Sequence, residues 1–227
     1  MRLEKGEWNF NGNIPSQFQE HVSDSVPYYE TVHDLITELS YWYTTKGSNI
    51  YDLGSSTGYL ASKLLPLIQK RELKYTGYDL SKDMVDFARE KHSNSLSFIE
   101  DNILNVDFKN NTSVVYSVLT LQFLTVEERR ELLNNIHNSL NEGGAFIIFE
   151  KIIAEDSETA LIFDEIYQDF KAKSLEAQHL IEKKQSLRGI MRPIKLEDNL
   201  QHLRESGFRT VNTFFQWGNF VGIIAVK

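Results

Sequence analysis

Two glycines lie in a short loop of small residues that follows an apolar segment and precedes a helical pattern. Gly54 and Gly58 enclose this loop, and Asp52 stands just before the first of them. Glycine lets the backbone turn sharply and approach a ligand closely, while the first turn of the following helix directs unpaired N–H groups toward that ligand. The pattern predicts a cofactor-binding loop.

A carboxylate at the end of the next apolar segment adds to this prediction. Asp79 closes the segment that begins at Tyr75, about where a ribose-binding acid sits in a βαβ unit. Such a carboxylate accepts hydrogen bonds from both ribose hydroxyls and repels the 2′-phosphate of NADP. We therefore expect a nucleoside ligand that lacks this phosphate.

The order of the loop residues separates two classes of cofactor. A dinucleotide loop has the pattern G-x-G-x-x-G, whereas here an acid precedes the glycines in the pattern D-x-G-x-x-x-G. Asp52 would repel a pyrophosphate and attract the cationic methionine portion of S-adenosylmethionine. The loop favours S-adenosyl-L-methionine as the cofactor, with S-adenosyl-L-homocysteine as the product of methyl transfer.

Composition limits the remaining possibilities. The 227 residues, 41% of them hydrophobic, are enough for one domain with a full core. No apolar run approaches the ~20 residues that span a bilayer, and the first residues lack the apolar segment of a signal peptide, so we expect a cytoplasmic protein without membrane contact. The absence of cysteine excludes disulfides and thiolate chemistry, and the scattered histidines predict no metal site. A net charge of −8 disfavours direct nucleic-acid binding and favours a small-molecule substrate.

Short apolar runs alternate with helical patterns between residues 48 and 151, which is typical of an α/β fold with a doubly wound, mostly parallel sheet. Two later runs, 208–216 and 221–226, predict a closing antiparallel hairpin. The predicted strands of the core are 48–53, 73–79, 95–100, 112–119 and 144–151. Outside the core the sequence predicts two helices between residues 14 and 43 with a break at Pro27, a helical stretch over about 156–187 and a helix at 195–206.

We expect these elements to form a single domain with four parts. Residues 1–45 are a helical N-terminal lid, 46–152 the cofactor-binding core, 153–207 a helical segment on the acceptor side, and 208–227 the closing hairpin. The acceptor is expected over the carboxyl ends of the strands, between the lid and the acceptor-side segment.

Motifs spread over nearly the whole chain occur in the order typical of one enzyme family. The cofactor loop belongs to them, with a serine where most methyltransferases have a glycine. The others are Trp8-x-Phe10, Ser25-Val26-Pro27-Tyr28-Tyr29, Leu119-Thr120-Leu121-Gln122-Phe123-Leu124, Gly143-Gly144, Glu150-Lys151, Asp169-Phe170-Lys171, Phe215-Gln216 and Asn219-Phe220.

With these motifs the chain resembles the carboxy-S-adenosylmethionine synthases, which convert S-adenosylmethionine with prephenate to carboxy-S-adenosylmethionine for modification of the tRNA wobble uridine. The resemblance implies a Rossmann-like class I methyltransferase fold with a seven-stranded sheet, and a homodimer. The cofactor contacts that it implies are Tyr29 near the sulfonium substituent, Gly54, Ser55 and Ser56 at the methionine portion, Asp79 and Leu80 at the ribose, and Asp101 and Asn102 at the adenine.

Two positions depart from the family pattern. The family holds the extra carboxylate with an asparagine before Thr-Leu-Gln-Phe and with an arginine on the late helix, where this chain has Val118 and His202. An arginine forms paired, charge-assisted hydrogen bonds with a carboxylate, and valine forms none. Arg192, beside Pro193, is the best replacement for the missing guanidinium, and His202 is a candidate general base toward an acceptor.

The sequence therefore supports three functions. The first is an S-adenosylmethionine-dependent methyltransferase with a small or medium-sized acceptor and a remodelled second-substrate pocket. The second is the synthase itself, with Arg192 or another residue in place of the arginine. The third is a non-catalytic S-adenosylmethionine-binding protein. The candidate catalytic residues are Tyr29, His202 and Arg192.

Overall fold

A seven-stranded sheet lies at the centre of the computed structural model, which describes residues 22–92 and 96–227. The strand order is β3-β2-β1-β4-β5-β7-β6. The strands are β1 Asn49–Leu53, β2 Lys74–Asp79, β3 Ser97–Glu100, β4 Thr112–Val118, β5 Leu140–Lys151, β6 Thr210–Trp217 and β7 Phe220–Val226.

Four strand pairs are parallel, and the pairs β5–β7 and β6–β7 are antiparallel. The predicted α/β class, with its mostly parallel sheet and closing hairpin, is therefore confirmed. The strand order reverses between β1 and β4, and in open α/β sheets this is the point where ligands bind, outside the carboxyl ends of the strands.

Seven α-helices surround the sheet in the described part of the chain. One core cluster packs against its first face, where α1, α2 and α3 lie, and a second cluster packs against its second face, where α4 and α7 lie. The helices are α1 Tyr29–Tyr43, α2 Tyr59–Arg71, α3 Lys82–His92, α4 Val126–Ser139, α5 Ser157–Lys171, α6 Ala177–Ser186 and α7 Leu196–Glu205.

Strand β5 belongs to both clusters because successive side chains of a strand point to opposite faces. Ile147 and Phe149 pack in the first cluster, whereas Phe146 and Ile148 pack in the second. Because of this alternation, the neighbouring charged residues Glu150 and Lys151 at the carboxyl end of β5 are directed to different faces.

The start of α4 shows how local sequence determines a helix boundary. Thr125 Oγ1 accepts a hydrogen bond from the Glu128 N–H, and Glu128 Oε2 accepts one from the Thr125 N–H at 2.7 Å. This reciprocal capping box satisfies two N–H groups that have no partner within the helix. Leu132, Leu133 and Ile136 then form the buried stripe that their spacing predicts.

The helical stretch predicted over 156–187 consists of two helices, α5 and α6. After Lys171 the chain forms tight turns, in which Ser174 N donates to Lys171 O at 3.1 Å, and the helical ladder is not continued. The break predicted at Pro27 coincides with turns over residues 24–28 that precede α1. Trp8-x-Phe10 lies outside the described residues, as does most of the helix predicted before Pro27. Among the helices that are described, none is long and apolar enough to span a bilayer.

Candidate functional site

The glycine loop lies between β1 and α2 and is held from two sides. The Gly54 and Ser55 N–H groups both donate to Tyr78 O, at 2.8 and 2.9 Å. Gly54 has a φ of +83°, and a Cβ there would lie 2.0 Å from Thr120 Oγ1. Gly58 has a φ of +70° at the start of α2. A Cβ at Gly58 would lie 2.8 Å from His92 Nε2, so both glycines are required by backbone conformation and by lack of space.

Asp79, at the end of β2, is bonded to this loop. Its Oδ2 accepts from Ser56 N and its Oδ1 from Ser81 N, both at 2.9 Å. Burial raises the pKa of Asp79, and these backbone hydrogen bonds oppose the rise. The structure thus brings together the loop and the acid that the sequence predicts for the ribose.

Asp52 lies beneath the loop, where only 2% of its surface is exposed. The Tyr75 hydroxyl donates to Asp52 Oδ2 at 2.8 Å. Burial raises the pKa of Asp52 to about 7, and the charge of Asp79 acts in the same direction. Part of the Asp52 population is therefore protonated near neutral pH, and its contact with a cationic methionine portion stays a prediction.

Tyr29 stands at the start of α1 and is also buried. Its ring stacks on that of Tyr59 with centroids 5.6 Å apart and lies 4.2 Å from that of His33. Burial raises the pKa of its hydroxyl, and the charge of Asp52 contributes. Tyr29 and Asp52 therefore interact electrostatically on the first face of the sheet, next to the glycine loop.

The remaining predicted contacts follow β2 and β3. Leu80, beside Asp79, is 70% exposed. Asp101 N donates to Asp79 O at 3.1 Å, and Asp101 Oδ1 accepts from Asn105 Nδ2 at 2.8 Å. Asn102 Oδ1 accepts from Leu104 N and caps a short 3₁₀ helix.

These residues fit an extended adenosyl ligand in the predicted order. The loop follows β1, Asp79 and Leu80 follow β2, and Asp101 follows β3, so all of them lie at the carboxyl ends of three adjacent strands. Ser55 Oγ, at the position implied for the methionine portion, is buried and has no hydrogen-bond partner among the described residues. A buried hydroxyl without a partner is unfavourable, and a polar group of a bound ligand would satisfy it.

The two departures from the family pattern lie in different places. Val118 ends β4 beside Phe149 of β5 and presents only an aliphatic side chain. His202 is buried on α7, on the second face, away from Tyr29. Burial lowers the pKa of His202, and the charges of Arg130 and Arg129 add to this effect. The structure does not bring His202 and Tyr29 together.

The Arg192 side chain is exposed, and the Arg192 backbone lies near the end of β5. Its N–H donates to Gln122 O at 2.6 Å, and Gln122 Oε1 accepts from Lys151 N at 2.8 Å. The hydrogen bonds from Thr125 lower the pKa of Glu128, and the charge of Arg192 adds to this effect. Its guanidinium thus acts on Glu128, and its role as a replacement arginine stays a prediction.

The charged residues that end β5 point to opposite faces. Glu150, fully buried, accepts from Arg129 Nη1 at 3.0 Å on the second face, and the same Nη1 donates to Asn199 Oδ1 at 2.8 Å. Lys151 points to the first face, where its Nζ lies 4.3 Å from the centroid of the Tyr167 ring. The sequence predicts no function for Lys151 or Tyr167, and the signal for Lys151 is its place in the family motif Glu150-Lys151 at the end of a strand.

Comparisons with known proteins agree with this geometry. Residues 50–144 match a family model described as a methyltransferase domain. An O-methyltransferase family protein from Burkholderia thailandensis shares the fold with a TM-score of 0.65 at 18% identity, over 94% of this chain and 59% of that one.

Two relatives match over nearly their full length. The carboxy-S-adenosyl-L-methionine synthase of Staphylococcus epidermidis is 38% identical over all of both chains. That of Campylobacter lari is 35% identical over 99% of this chain and 96% of its own. Identity at this level over whole chains, together with the glycine loop and the acids after β2 and β3, shows that this protein belongs to the carboxy-S-adenosyl-L-methionine synthase family.

Proposed function

We propose that this protein is a carboxy-S-adenosyl-L-methionine synthase that uses S-adenosyl-L-methionine and, as the family resemblance implies, prephenate. The observation that carries the proposal is the glycine loop bonded to Asp79 in a chain that is 38% identical to such a synthase over its whole length. The sequence pattern alone favours methyl transfer to a small or medium-sized acceptor instead.

The residues at the strand ends supply the cofactor site in this proposal. Gly54, Ser55 and Ser56 hold the methionine portion, with Tyr29 near the sulfonium substituent. The positive sulfur acidifies the methyl group bound to it, so this carbon loses a proton and bonds to the carbon dioxide that prephenate releases. Prephenate expels hydroxide as its ring becomes aromatic, and the methyl proton and this hydroxide form water. The protein has mainly to align these groups and exclude bulk water. The ribose and adenine contacts come from Asp79, Leu80, Asp101 and Asn102.

A second candidate is methyl transfer to a small acceptor, and Val118 favours it. The aliphatic side chain at this position cannot donate a hydrogen bond to a carboxylate, and His202 lies on the second face. Neither position that the family uses for the extra carboxylate therefore offers a partner near Tyr29.

Mass spectrometry distinguishes the candidates. The small molecule released by denaturing freshly purified protein is identified, and the protein is then incubated with S-adenosylmethionine with and without prephenate. A synthase forms carboxy-S-adenosylmethionine only when prephenate is present. Accumulation of S-adenosylhomocysteine with an acceptor, and no carboxylated product, would support methyl transfer instead; binding without any turnover would support a binding protein.

We also propose a cytoplasmic homodimer with the four-part domain organisation given above. The family resemblance supports the dimer, which light scattering of the purified protein would measure.

A further inference from the structure

Two lysines share one aromatic ring on the first face of the sheet. Lys151 Nζ and Lys171 Nζ each lie 4.3 Å from the centroid of the Tyr167 ring. Lys151 ends β5, and Lys171 ends α5, one turn after Tyr167. The two ammonium groups are thus placed around the same ring by two different elements.

Neither ammonium group is neutralised by a carboxylate. Within the described residues, no acid lies within 4.0 Å of Lys151 or Lys171, and Asp164, whose charge acts on both, forms its ion pair with Lys184 at 3.6 Å. Burial lowers the pKa of Lys151 to about 8 and also lowers that of Lys171. Lys171 is buried and Lys151 is half-buried, and charges in such positions are normally paired, so the two ammonium groups are available to bind an anion.

Attraction to the ring does not explain the pair. A single ammonium over an aromatic face is favourable, but the charge of Lys171 lowers the pKa of Lys151 further. Lys171 therefore makes the charged form of Lys151 less stable. An anion between or beside the two would remove this repulsion.

Two short series of contacts connect the lysines to the cofactor site. The Tyr167 hydroxyl donates to Ser25 O at 2.8 Å, and Ser25 lies in the turns that lead to Tyr29. On the other side, Lys151 N donates to Gln122 Oε1, and Gln122 follows Thr120, which packs against Gly54. The pair therefore borders the carboxyl ends of β4 and β5, where a second substrate is expected.

We propose that Lys151 and Lys171, arranged around Tyr167, form an anion subsite that binds the carboxylate groups of an organic dicarboxylate as the second substrate. The inference rests on the proposed function, because prephenate is such a dicarboxylate. Lys151 and Lys171 are assigned here to substrate binding and specificity, and Tyr167 is a positioning residue that holds both lysine side chains.

Calorimetric titration of prephenate into protein saturated with S-adenosylhomocysteine tests this subsite without turnover. Lys151→Met and Lys171→Met each remove a charge and keep most of the side chain. We expect each to weaken prephenate binding by about tenfold or more, to leave S-adenosylhomocysteine affinity within about twofold, and Lys171→Arg to retain most of the binding. Lys70→Met, at an exposed lysine of α2, is the matched control and should bind as the wild type does.

The outcomes separate the subsite from the reaction. If prephenate does not bind to the wild type, or binds equally to both methionine variants, the subsite is wrong. If the wild type binds prephenate through the lysines but forms no carboxy-S-adenosylmethionine, the subsite stands and the proposed function fails. Where a methionine variant does not fold, Lys151→Gln or Lys171→Gln replaces it, and prephenate binding by that folded variant equal to the wild type's also overturns the subsite.

Discussion

The Ser56 N–H donates to Asp79 Oδ2 over 2.9 Å, and this bond joins the loop after β1 to the acid after β2. The same carboxylate also accepts from Ser81 N at the start of the next helical segment. Three segments of the site therefore depend on one side chain, which the sequence predicts as the ribose acceptor.

Replacing Asp79 tests the cofactor site directly. Asp79→Ala removes the acceptor for the ribose hydroxyls and releases the loop, and hydrogen bonds to a charged group contribute about 1.5–3 kcal/mol each. We expect S-adenosylmethionine affinity, measured by calorimetry, to fall by about 100-fold or more. Asp107→Ala, at an exposed acid after β3, is the control. Retained affinity in Asp79→Ala would refute the site.

Gly54 is predicted to tolerate no side chain. Gly54→Ala forces a Cβ against Thr120 at a φ of +83°, and we expect a loss of about 2–4 kcal/mol in the free energy of unfolding, measured by urea denaturation. Gly143→Ala shares the positive φ of +74° but meets nothing within 4 Å, so it should lose only about 1 kcal/mol. Equal losses in the two variants would show that the contact with Thr120 is unimportant.

The affinity for S-adenosylmethionine should rise with pH near neutrality. Burial raises the pKa of Asp52 to about 7, and a bound cation favours the ionised carboxylate, so binding releases a proton from Asp52. The groups that face Asp52 are Tyr29, Tyr75, Asp79 and Tyr116.

Calorimetry at several pH values measures this linkage. We expect the affinity to increase by about tenfold between pH 6 and pH 8 and to level off above the pKa, since only the protonated fraction must lose a proton. In Asp52→Asn the profile should be flat over the same range. A flat profile in the wild type would mean that no cation approaches Asp52.

Val118 should limit the binding of the carboxylated cofactor. Val118→Asn adds a side-chain amide that donates a hydrogen bond to a carboxylate, and we expect carboxy-S-adenosylmethionine to bind about tenfold more tightly. Val118→Leu is the control, because it changes volume without adding a donor. If Val118→Asn has no effect on this affinity, the extra carboxylate is held elsewhere in the site.

Much of the fold could be predicted from the sequence because strands and helices leave local periodic signals. The five core strands and the closing hairpin lie within a few residues of their predicted positions. The sequence pattern does not predict where 156–187 divides into α5 and α6, because the turns after Lys171 contain no glycine or proline.

The sequence by itself determined the glycine loop and the acid after β2, since these depend on residues close together in the chain. Only the tertiary structure decided which distant side chains meet. It buried Asp52 against Tyr75, placed His202 on the face opposite Tyr29, and directed the adjacent Glu150 and Lys151 to different partners. Such contacts join residues up to 142 positions apart, as between Tyr167 and Ser25, and packing of whole elements rather than local pattern determines them.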